Sequence, residues 1–136
     1  MGKLKKSKPN YWYNQSAVVP YRKNGTVEIL LITTRKKKKW IIPKGIVEEN
    51  LTPLQSAEKE AFEEAGIRGT TSKKSIGKYK YKKWGNKCKV KVFAMEVNEV
   101  LDTWEEDFRE RKWVKLDKVK EEIVEVKLQK IILSFF

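Results

Sequence analysis

Three glutamates, Glu60, Glu63 and Glu64, stand close together near the middle of the chain. In a helix, residues three and four positions apart share one face, so these three carboxylates would converge within one turn. Converging carboxylates repel one another, and a hard divalent cation such as Mg²⁺ or Mn²⁺ removes that repulsion by binding their oxygens. The spacing predicts a metal site. The alternative interpretation is a solvated acidic face neutralised by Lys59 and neighbouring lysines.

The residue types that the chain lacks narrow the chemistry further. There is no histidine, and Cys88 is the only cysteine. Imidazole bases, zinc sites built from histidine or cysteine, and disulfides within the chain are therefore excluded. Catalysis has to come from carboxylates, hydroxyls, lysine or arginine, with Mg²⁺ or Mn²⁺ as the expected cofactor.

Length and charge indicate one globular domain with a polyanionic partner. The chain has 136 residues, and 31 Lys and Arg oppose 18 Asp and Glu, which gives a net charge of +13. Such a charge favours nucleic acid, an anionic membrane or a heavily phosphorylated small molecule, although a lysine-rich surface that serves solubility is the alternative. No apolar run is long enough to span a bilayer, and no apolar segment of the kind expected in a signal peptide follows the basic N-terminal stretch. We expect a cytoplasmic protein without a membrane segment.

The glutamates lie in the segment with the clearest helix signals. Thr52 is suited to the N-cap, Pro53 to the first helical position, and Gln55 completes a capping box. The helix is expected to end near Ala65, with Gly66 in a left-handed conformation. A stripe of small residues along this helix would allow it to pack closely on a sheet.

The rest of the chain alternates between strand and turn patterns. Strands are expected at residues 16–22, 27–33, 75–83, 87–97 and 111–116, with a short apolar segment at 40–42 and a turn at 43–45. Apolar residues at helical spacing predict one amphipathic helix from about residue 119 to 132. Residues 1–12 resemble a flexible basic tail, which leaves residues 13–136 as a single domain. This order of elements predicts a mixed α/β domain.

The segment from Gly45 to Ile67 resembles the Nudix box, whose pattern is Gly, five residues, Glu, seven residues, then Arg-Glu-aliphatic-x-Glu-Glu-x-Gly-aliphatic. Two positions depart from it. Leu51 occupies the position of the first Glu, and Lys59 occupies that of the Arg. Leu51 cannot bind a metal, and Lys59 retains a cation without the planar guanidinium fork.

The resemblance implies a Nudix hydrolase, an enzyme that acts on phosphorus-containing acid anhydrides. It implies the Nudix fold, a mixed β-sheet sandwiched between helices in an α/β/α arrangement. The implied metal ligands are Glu60, Glu63 and Glu64 with a backbone carbonyl at Gly45 or its neighbour. Glu63 is one candidate for the general base, and the others lie in a late acidic loop: Glu105, Glu106 and Glu110.

Outside the box, the chain is similar to the diphosphoinositol polyphosphate phosphohydrolase branch of the family. That similarity implies contacts with substrate phosphates at Thr33, Arg35, Arg109 and Arg111, and we expect Lys44 to reach the phosphates as well. In the alternative interpretation, Thr33 is an ordinary strand residue and the two late arginines pair with acidic residues of the nearby loop.

Three functions therefore follow from the sequence. The first is a metal-dependent pyrophosphohydrolase acting on a dinucleoside polyphosphate or a diphosphoinositol polyphosphate. The second is removal of pyrophosphate from the 5′ end of RNA, and the third is a Nudix-fold module that binds a polyanion without hydrolysing it. Leu51 and Lys59 keep the third alternative open, and the oligomeric state is left open.

Overall fold

The computed structural model describes residues 7–136. The elements, in chain order, are a 3₁₀ helix at Asn10–Tyr13, β1 (Asn14–Asn24), β2 (Thr26–Thr33), β3 (Trp40–Ile41), β4 (Lys44–Ile46), α1 (Pro53–Ala65), β5 (Ile67–Thr71), β6 (Gly77–Lys83), β7 (Asn86–Val100), β8 (Arg111–Lys115), a 3₁₀ helix at Leu116–Lys118, α2 (Val119–Glu122) and α3 (Val126–Phe135). Within these residues, no helix is long and apolar enough to cross a membrane.

The strands form one mixed sheet of eight strands with β1 at its centre. The order along the sheet is β3-β2-β1-β7-β5, while β4 pairs with β1, β6 with β7 and β8 with β2. The pairing of β1 with β7 is parallel, from Asn14 opposite Lys89 to Tyr21 opposite Glu96. The other pairings are antiparallel.

Each face of the sheet buries its own apolar layer. On one face, Val18, Phe93 and Met95 pack with the alanines of α1, and on the other face Val19 and Val92 pack with α2 and α3. The small side chains of Ala57, Ala61 and Ala65 are fully buried, so α1 lies close to the strands. Helices on both faces of a mixed sheet confirm the expected α/β/α sandwich.

Two hairpins join neighbouring strands, β1 to β2 and β6 to β7. Gly25 follows β1 with φ +79°, and the β6–β7 turn places Trp84 and Gly85 at φ +54° and +76°. Two successive positive φ values are typical of the tight turns whose twist matches that of paired strands. Trp84 adopts a conformation that is uncommon for a bulky residue.

The C-terminal helix differs from the prediction, because it is broken into α2 and α3. Ile123 takes an extended conformation, and Glu125 then caps α3 by accepting a hydrogen bond from the backbone N–H of Lys127 at 3.1 Å. Apolar residues such as Ile123 and Leu128 are buried on both sides of the break. The break therefore preserves the apolar pattern that predicted one helix.

Two further segments differ from the prediction. The expected turn at residues 43–45 contributes Lys44–Ile46 to the sheet as β4, which pairs with Gln15–Ala17 of β1. Ile67–Thr71 forms β5 directly after α1, a strand that the apolar pattern did not indicate because Gly69 and polar residues interrupt it.

The expected flexible tail ended at residue 12. Residues 1–6 lie outside the described residues, but Asn10–Tyr13 forms a 3₁₀ helix. The Trp12 ring contacts the Trp84 ring edge-to-face at 5.1 Å, and the Tyr13 hydroxyl donates to the carbonyl of Trp84 at 2.8 Å. Aromatic contacts therefore fix the end of the segment that was expected to be loose.

Candidate active site

Helix α1 presents the glutamates on a segment fixed at both ends. Thr52 Oγ1 accepts a hydrogen bond from the backbone N–H of Gln55 at 3.1 Å, and Gln55 Oε1 accepts one from the N–H of Thr52 at 3.0 Å. This capping box satisfies two N–H groups at the start of the helix. Gly66 ends the helix in the left-handed conformation at φ +64°. The turn that carries the glutamates is therefore held in place.

Glu60 and Glu64 form a contacting pair of carboxyl groups on the side of α1 that turns toward β4. Glu64 is 8% exposed, and its Oε1 accepts a hydrogen bond from the backbone N–H of Lys44 at 3.1 Å. Burial and then the charge of Glu64 raise the pKa of Glu60 to about 9, and burial also raises the pKa of Glu64. If both carboxyls were ionised, their negative charges would repel each other strongly. The pair therefore needs a shared proton or a bound cation.

Gly45 allows β4 to lie directly against this pair. A Cβ atom at Gly45 would overlap the carboxyl group of Glu60. Only glycine therefore fits between the strand and Glu60 without displacing the side chain. This close approach is compatible with the predicted role of the Gly45 backbone as a metal ligand.

Glu63 lies at the more exposed edge of the acidic group. Its Oε2 is 3.8 Å from Nζ of Lys59, which also bonds both carboxylate oxygens of Glu48 at 2.7 and 2.9 Å. Burial raises the pKa of Glu63, and Lys59 opposes that shift. Lys59 thus keeps a cation beside the glutamates. Since Glu48 is engaged by Lys59, it is poorly placed to replace the carboxylate missing at Leu51.

The late loop between β7 and β8 is attached to the C-terminal end of α1. Trp104 donates its indole N–H to the carbonyl of Glu64 at 3.0 Å, and Arg111 donates from Nη1 to the carbonyl of Ala65 at 2.9 Å. The guanidinium of Arg111 also lies 3.7 Å from the centre of the Trp104 ring. These bonds satisfy carbonyls that the helix itself leaves free. They give Arg111 a role in positioning the acidic helix.

The side chain of Arg109 is likewise occupied by hydrogen bonds within the protein. It is 7% exposed, it donates from Nε and Nη2 to Glu106 at 3.1 and 2.8 Å, and it donates from Nη1 to the carbonyl of Thr33 at 2.8 Å. The hydroxyl of Thr33 accepts the backbone N–H of Glu110 at 3.0 Å. Little of either side chain is left for a substrate.

Glu106, in the late loop, is bonded to the part of α1 that carries the glutamates. Its backbone N–H donates to the carbonyl of Glu63 at 3.0 Å. After burial and the glutamates of α1 themselves, the charge of Glu106 is a further cause of the raised pKa of Glu60. Arg35 stands beside it with a side chain that is 71% exposed and Nη2 3.7 Å from Oε1 of Glu106. Arg35 is thus free to contact a phosphate.

Lys44 joins the acidic group to a cavity on the other side of the sheet. Its backbone bonds Glu64, whereas its Nζ lies 4.1 Å from the centre of the Tyr81 ring. Burial, followed by the nearby charge of Lys83, lowers the pKa of Lys44. The ammonium group points away from the glutamates because neighbouring residues of a strand face opposite sides.

The cavity has a volume of about 420 Å³ and a largely apolar wall. Its lining includes Lys44, Trp40, Tyr79, Tyr81, Val124 and Glu125. The break between α2 and α3 contributes Val124 and Glu125 to this wall. The sequence did not reveal the cavity, because it depends on that break and on β4 being a strand.

The predicted residues thus fall into separate groups. Glu60, Glu64 and Gly45 come together at α1 and β4, whereas Glu63, which was predicted as a third metal ligand, lies apart from them beside Lys59. Thr33, Arg35 and Arg109 meet around Glu106, and Arg111 lies at the end of the helix. Lys44 alone reaches both the acidic group and the cavity.

The residues of this site fit a hard divalent cation. Within residues 7–136, no three carboxylates are arranged to hold one cation together. Mg²⁺, however, keeps several waters and is commonly bound through one or two carboxylates plus substrate phosphates. Glu60 and Glu64 supply two adjacent carboxyls. Ser16, which pairs with Gly45, has a buried hydroxyl without a partner among the described residues, as a site for an ordered water requires.

A mixed sheet between helices, with paired carboxyls on a capped helix beside a glycine, places this chain in the class of α/β sandwich domains. The family model for the NUDIX domain matches residues 13–135, and the chain belongs to the Nudix family.

Relatives in this family are similar over most of the chain. Nudix hydrolase 21, chloroplastic, from Arabidopsis thaliana is 37% identical over 106 residues, which cover 72% of this chain and 53% of the relative. Nudix hydrolase 13, mitochondrial, from the same plant is 33% identical over 99 residues, which cover 65% of this chain and 49% of the relative. Diphosphoinositol polyphosphate phosphohydrolase 3-beta from Bos taurus is 29% identical over 113 residues, which cover 80% of this chain and 68% of the relative. The chain spans about half the length of the two plant relatives.

Among solved structures, an Ap4A hydrolase from C. elegans shares the fold. The TM-score is 0.76 at 24% identity, and the match covers 90% of this chain and 94% of that chain.

Proposed function

We propose that this chain is a Mg²⁺- or Mn²⁺-dependent pyrophosphohydrolase that cleaves a phosphoanhydride bond in a polyphosphorylated small molecule. The observation that carries the proposal is the contacting pair Glu60 and Glu64 packed against Gly45. Two carboxyls in contact can both be ionised without strong repulsion only when a cation binds between them, and in the metal-free protein they share a proton instead. Membership of the Nudix family supports the same activity.

Different side chains have different roles in hydrolysis. Glu60 and Glu64 hold the cation, with the Gly45 backbone beside them. Glu63 is exposed enough to orient a water and accept its proton, and Glu106 is the alternative base. A bound Mg²⁺ or Mn²⁺ supplies neutralisation of phosphate charge and lowers the pKa of the attacking water.

The cations around the site suit a chain of phosphates. Arg35 is exposed and can contact phosphate directly. Lys44 lines the cavity and binds the part of the substrate that crosses β4. Arg109 and Arg111 act through the protein, because they hold Glu106 and the end of α1 in position.

The cavity favours a nucleoside group over an inositol ring. Its wall contains Trp40, Tyr79 and Tyr81, which suit a flat apolar base, whereas an inositol carrying phosphates at most positions needs cations throughout. A dinucleoside polyphosphate is therefore the proposed substrate, with a diphosphoinositol polyphosphate as the second candidate. The solved structure of similar fold is named as an Ap4A hydrolase, and the relative from Bos taurus carries the second activity in its name. A cytoplasmic location remains a prediction.

The test is hydrolysis of diadenosine polyphosphates, diphosphoinositol polyphosphates, nucleoside triphosphates and 5′-triphosphorylated RNA, with Mg²⁺ and then Mn²⁺. We expect diadenosine polyphosphates to have the highest kcat/KM, and Glu64→Gln to abolish turnover while the protein stays folded. Glu58→Gln is the matched control, since Glu58 lies on the same helix and bonds Thr71 instead. Tight binding of a substrate without turnover would indicate the non-catalytic binding module.

A further inference from the structure

The β6–β7 hairpin carries lysines in opposed pairs. Lys78 faces Lys91, Lys80 faces Lys89, and Lys82 faces Lys87 across the two strands. All six side chains are exposed. We call this group the lysine ladder.

The lysine ladder has no acidic partner close to it along the chain. From Ser72 to Met95 the sequence contains no Asp or Glu. Among the described residues, no ladder lysine takes part in an ion pair. Like charges placed directly opposite each other destabilise a pair of strands. A polyanion bound along these lysines would neutralise their charges and so remove the repulsion that destabilises the two strands.

The lysine ladder lies on the same face of the sheet as α1. Gly45 pairs with Ser16, Ser16 with Lys91, and Lys91 with Lys78, so these residues form one row across four strands. Phe93, two positions beyond Lys91 on β7, packs under the alanines of α1. With neighbouring strands about 4.8 Å apart, the ladder begins roughly 10 Å from Gly45.

An aromatic cluster stands at the turn end of the lysine ladder. The rings of Trp12 and Trp84 are in contact, and each is covered by a lysine, with Lys8 5.1 Å from one ring centre and Lys83 4.6 Å from the other. Both indoles are partly exposed. Aromatic rings on which bases stack, together with a cationic track for the backbone, are the features that bind single-stranded nucleic acid.

The ladder suits a linear polyanion better than a membrane. Along each strand, alternate lysines are spaced by about 6.6–6.8 Å, in two parallel rows. Surfaces that lie in a bilayer also insert apolar side chains. Among the described residues, no exposed large apolar side chain lies on β6 or on the stretch of β7 that carries the ladder.

We propose that the lysine ladder, with Trp12 and Trp84 at its end, binds the backbone of single-stranded RNA. This binding does not require the metal site or hydrolysis. The phosphates lie along the lysine rows, and bases reach the aromatic cluster. The hairpin is thereby a second binding surface of the molecule.

The test measures fluorescence anisotropy of a labelled 12-nucleotide single-stranded RNA with a 5′-hydroxyl, in EDTA, over a range of KCl concentrations. The ladder variant is Lys80→Gln with Lys89→Gln, and the control is Lys120→Gln with Lys130→Gln, which removes the same charge from exposed positions of α2 and α3. We expect the ladder variant to bind about tenfold more weakly at low salt. Its slope of log affinity against log salt should be shallower by about 1.4, at roughly 0.7 for each phosphate that a lysine no longer neutralises.

Several outcomes overturn the proposal. One is an equal loss of RNA affinity in the ladder and control variants. The others are a wild type that does not bind RNA, and a wild type that binds anionic phosphatidylserine vesicles instead of RNA. The variant Lys78→Gln with Lys91→Gln repeats the test if the first pair lowers the melting temperature. The kcat for hydrolysis of diadenosine tetraphosphate is measured at saturating substrate on the same samples, and it should be unchanged in the ladder variants. RNA binding and hydrolysis can therefore fail separately.

Discussion

At the scale of single residues, Glu60 has the most unusual environment of the acidic group. Burial and the contact with Glu64 raise its pKa to about 9, so in the metal-free protein it holds a proton where a solvent-exposed glutamate would be ionised. A group whose folded pKa lies above its unfolded pKa stabilises the fold while it is protonated. That contribution is complete below the ordinary value of 4.5 and is lost as pH rises toward about 9.

The stability of the metal-free protein should therefore fall between pH 5 and pH 9. Glu60→Gln keeps the neutral shape, so we expect its melting temperature to change less over this range and to exceed that of the wild type at pH 9. Thermal unfolding in EDTA measures this effect. Adding Mg²⁺ should raise the wild-type melting temperature most at high pH, because the cation competes with the proton. A wild-type stability that increases toward pH 9 in EDTA would contradict the described environment.

Gly45→Ala tests the contact between β4 and Glu60. The added methyl group would meet the carboxyl end of Glu60, which is flexible and can move away. We expect the melting temperature to change by only a few degrees and kcat to fall at least tenfold, because the displaced carboxyl no longer holds the cation. Mg²⁺ titration of the melting temperature should show weaker binding. Full activity would show that the close approach is dispensable.

The types and spacing of the acidic residues were readable from the sequence, but their partners were not. The positions of Glu60 and Glu64 on one helical face follow from periodicity alone. The orientation of Lys44 depended on residues 44–46 forming a strand, and composition indicated a turn. The buried bonds of Arg109 and Arg111 join residues distant in the chain, so no local pattern could reveal them.

At the scale of elements, the junction between α1 and the late loop determines whether the glutamates stay in position. Gly66 occupies the left-handed conformation directly beneath the Trp104 ring, whose nearest atoms lie 2.7 Å from where a Cβ would be. Trp104 and Arg111 bond the last carbonyls of the helix. A disturbance at Gly66 is therefore transmitted to both helix and loop.

Gly66→Ala should destabilise the protein by about 2 kcal/mol or more, since it combines left-handed strain of about 1–2 kcal/mol with overlap against Trp104. Gly25→Ala is a matched control, because Gly25 has a similar φ of +79° and open space around it. Chemical denaturation of both variants separates the two effects. If both variants lose the same free energy of unfolding, the overlap with Trp104 contributes nothing to the effect of Gly66→Ala.

The opposed lysines make a separate prediction about stability. Lys89→Glu converts the pair with Lys80 from repulsive to attractive, so we expect it to stabilise the hairpin by about 0.5 kcal/mol, within the range for cross-strand pairs. Lys89→Gln should stabilise it less. Urea denaturation at low salt measures both, and 0.5 M KCl should reduce the difference.

Elements with strong local signals were predicted well. Caps defined α1, and runs of strand-forming residues defined β1, β2, β6 and β7. The break at Ile123–Glu125 was missed because the apolar spacing continues through it, and α2 and α3 each pack their apolar side on the sheet. Tertiary packing thus selected two short helices where periodicity alone allowed one.

At the scale of the whole molecule, the net charge of +13 acts over longer distances than any single contact. Such a field increases the rate at which polyanions reach the protein, and salt screens it. The value of kcat/KM for a diadenosine polyphosphate should fall several-fold between 0.05 and 0.5 M KCl, and more steeply as the number of phosphates increases. Steady-state kinetics at fixed free Mg²⁺ measures this. A kcat/KM that is independent of salt would show that steering plays no part.

The parallel pairing of β1 with β7 also determines the order in which the chain can assemble during synthesis. The central strand β1 is made first, but its partner from Lys89 onward follows only after α1, β5 and β6. At roughly 5–20 residues per second, a nascent chain waits several seconds before that edge is covered. During this interval the apolar run Ala17–Val19 lies beside an unpaired strand edge, the usual starting point of aggregation. Slower translation before β7 should therefore lower the yield of folded protein.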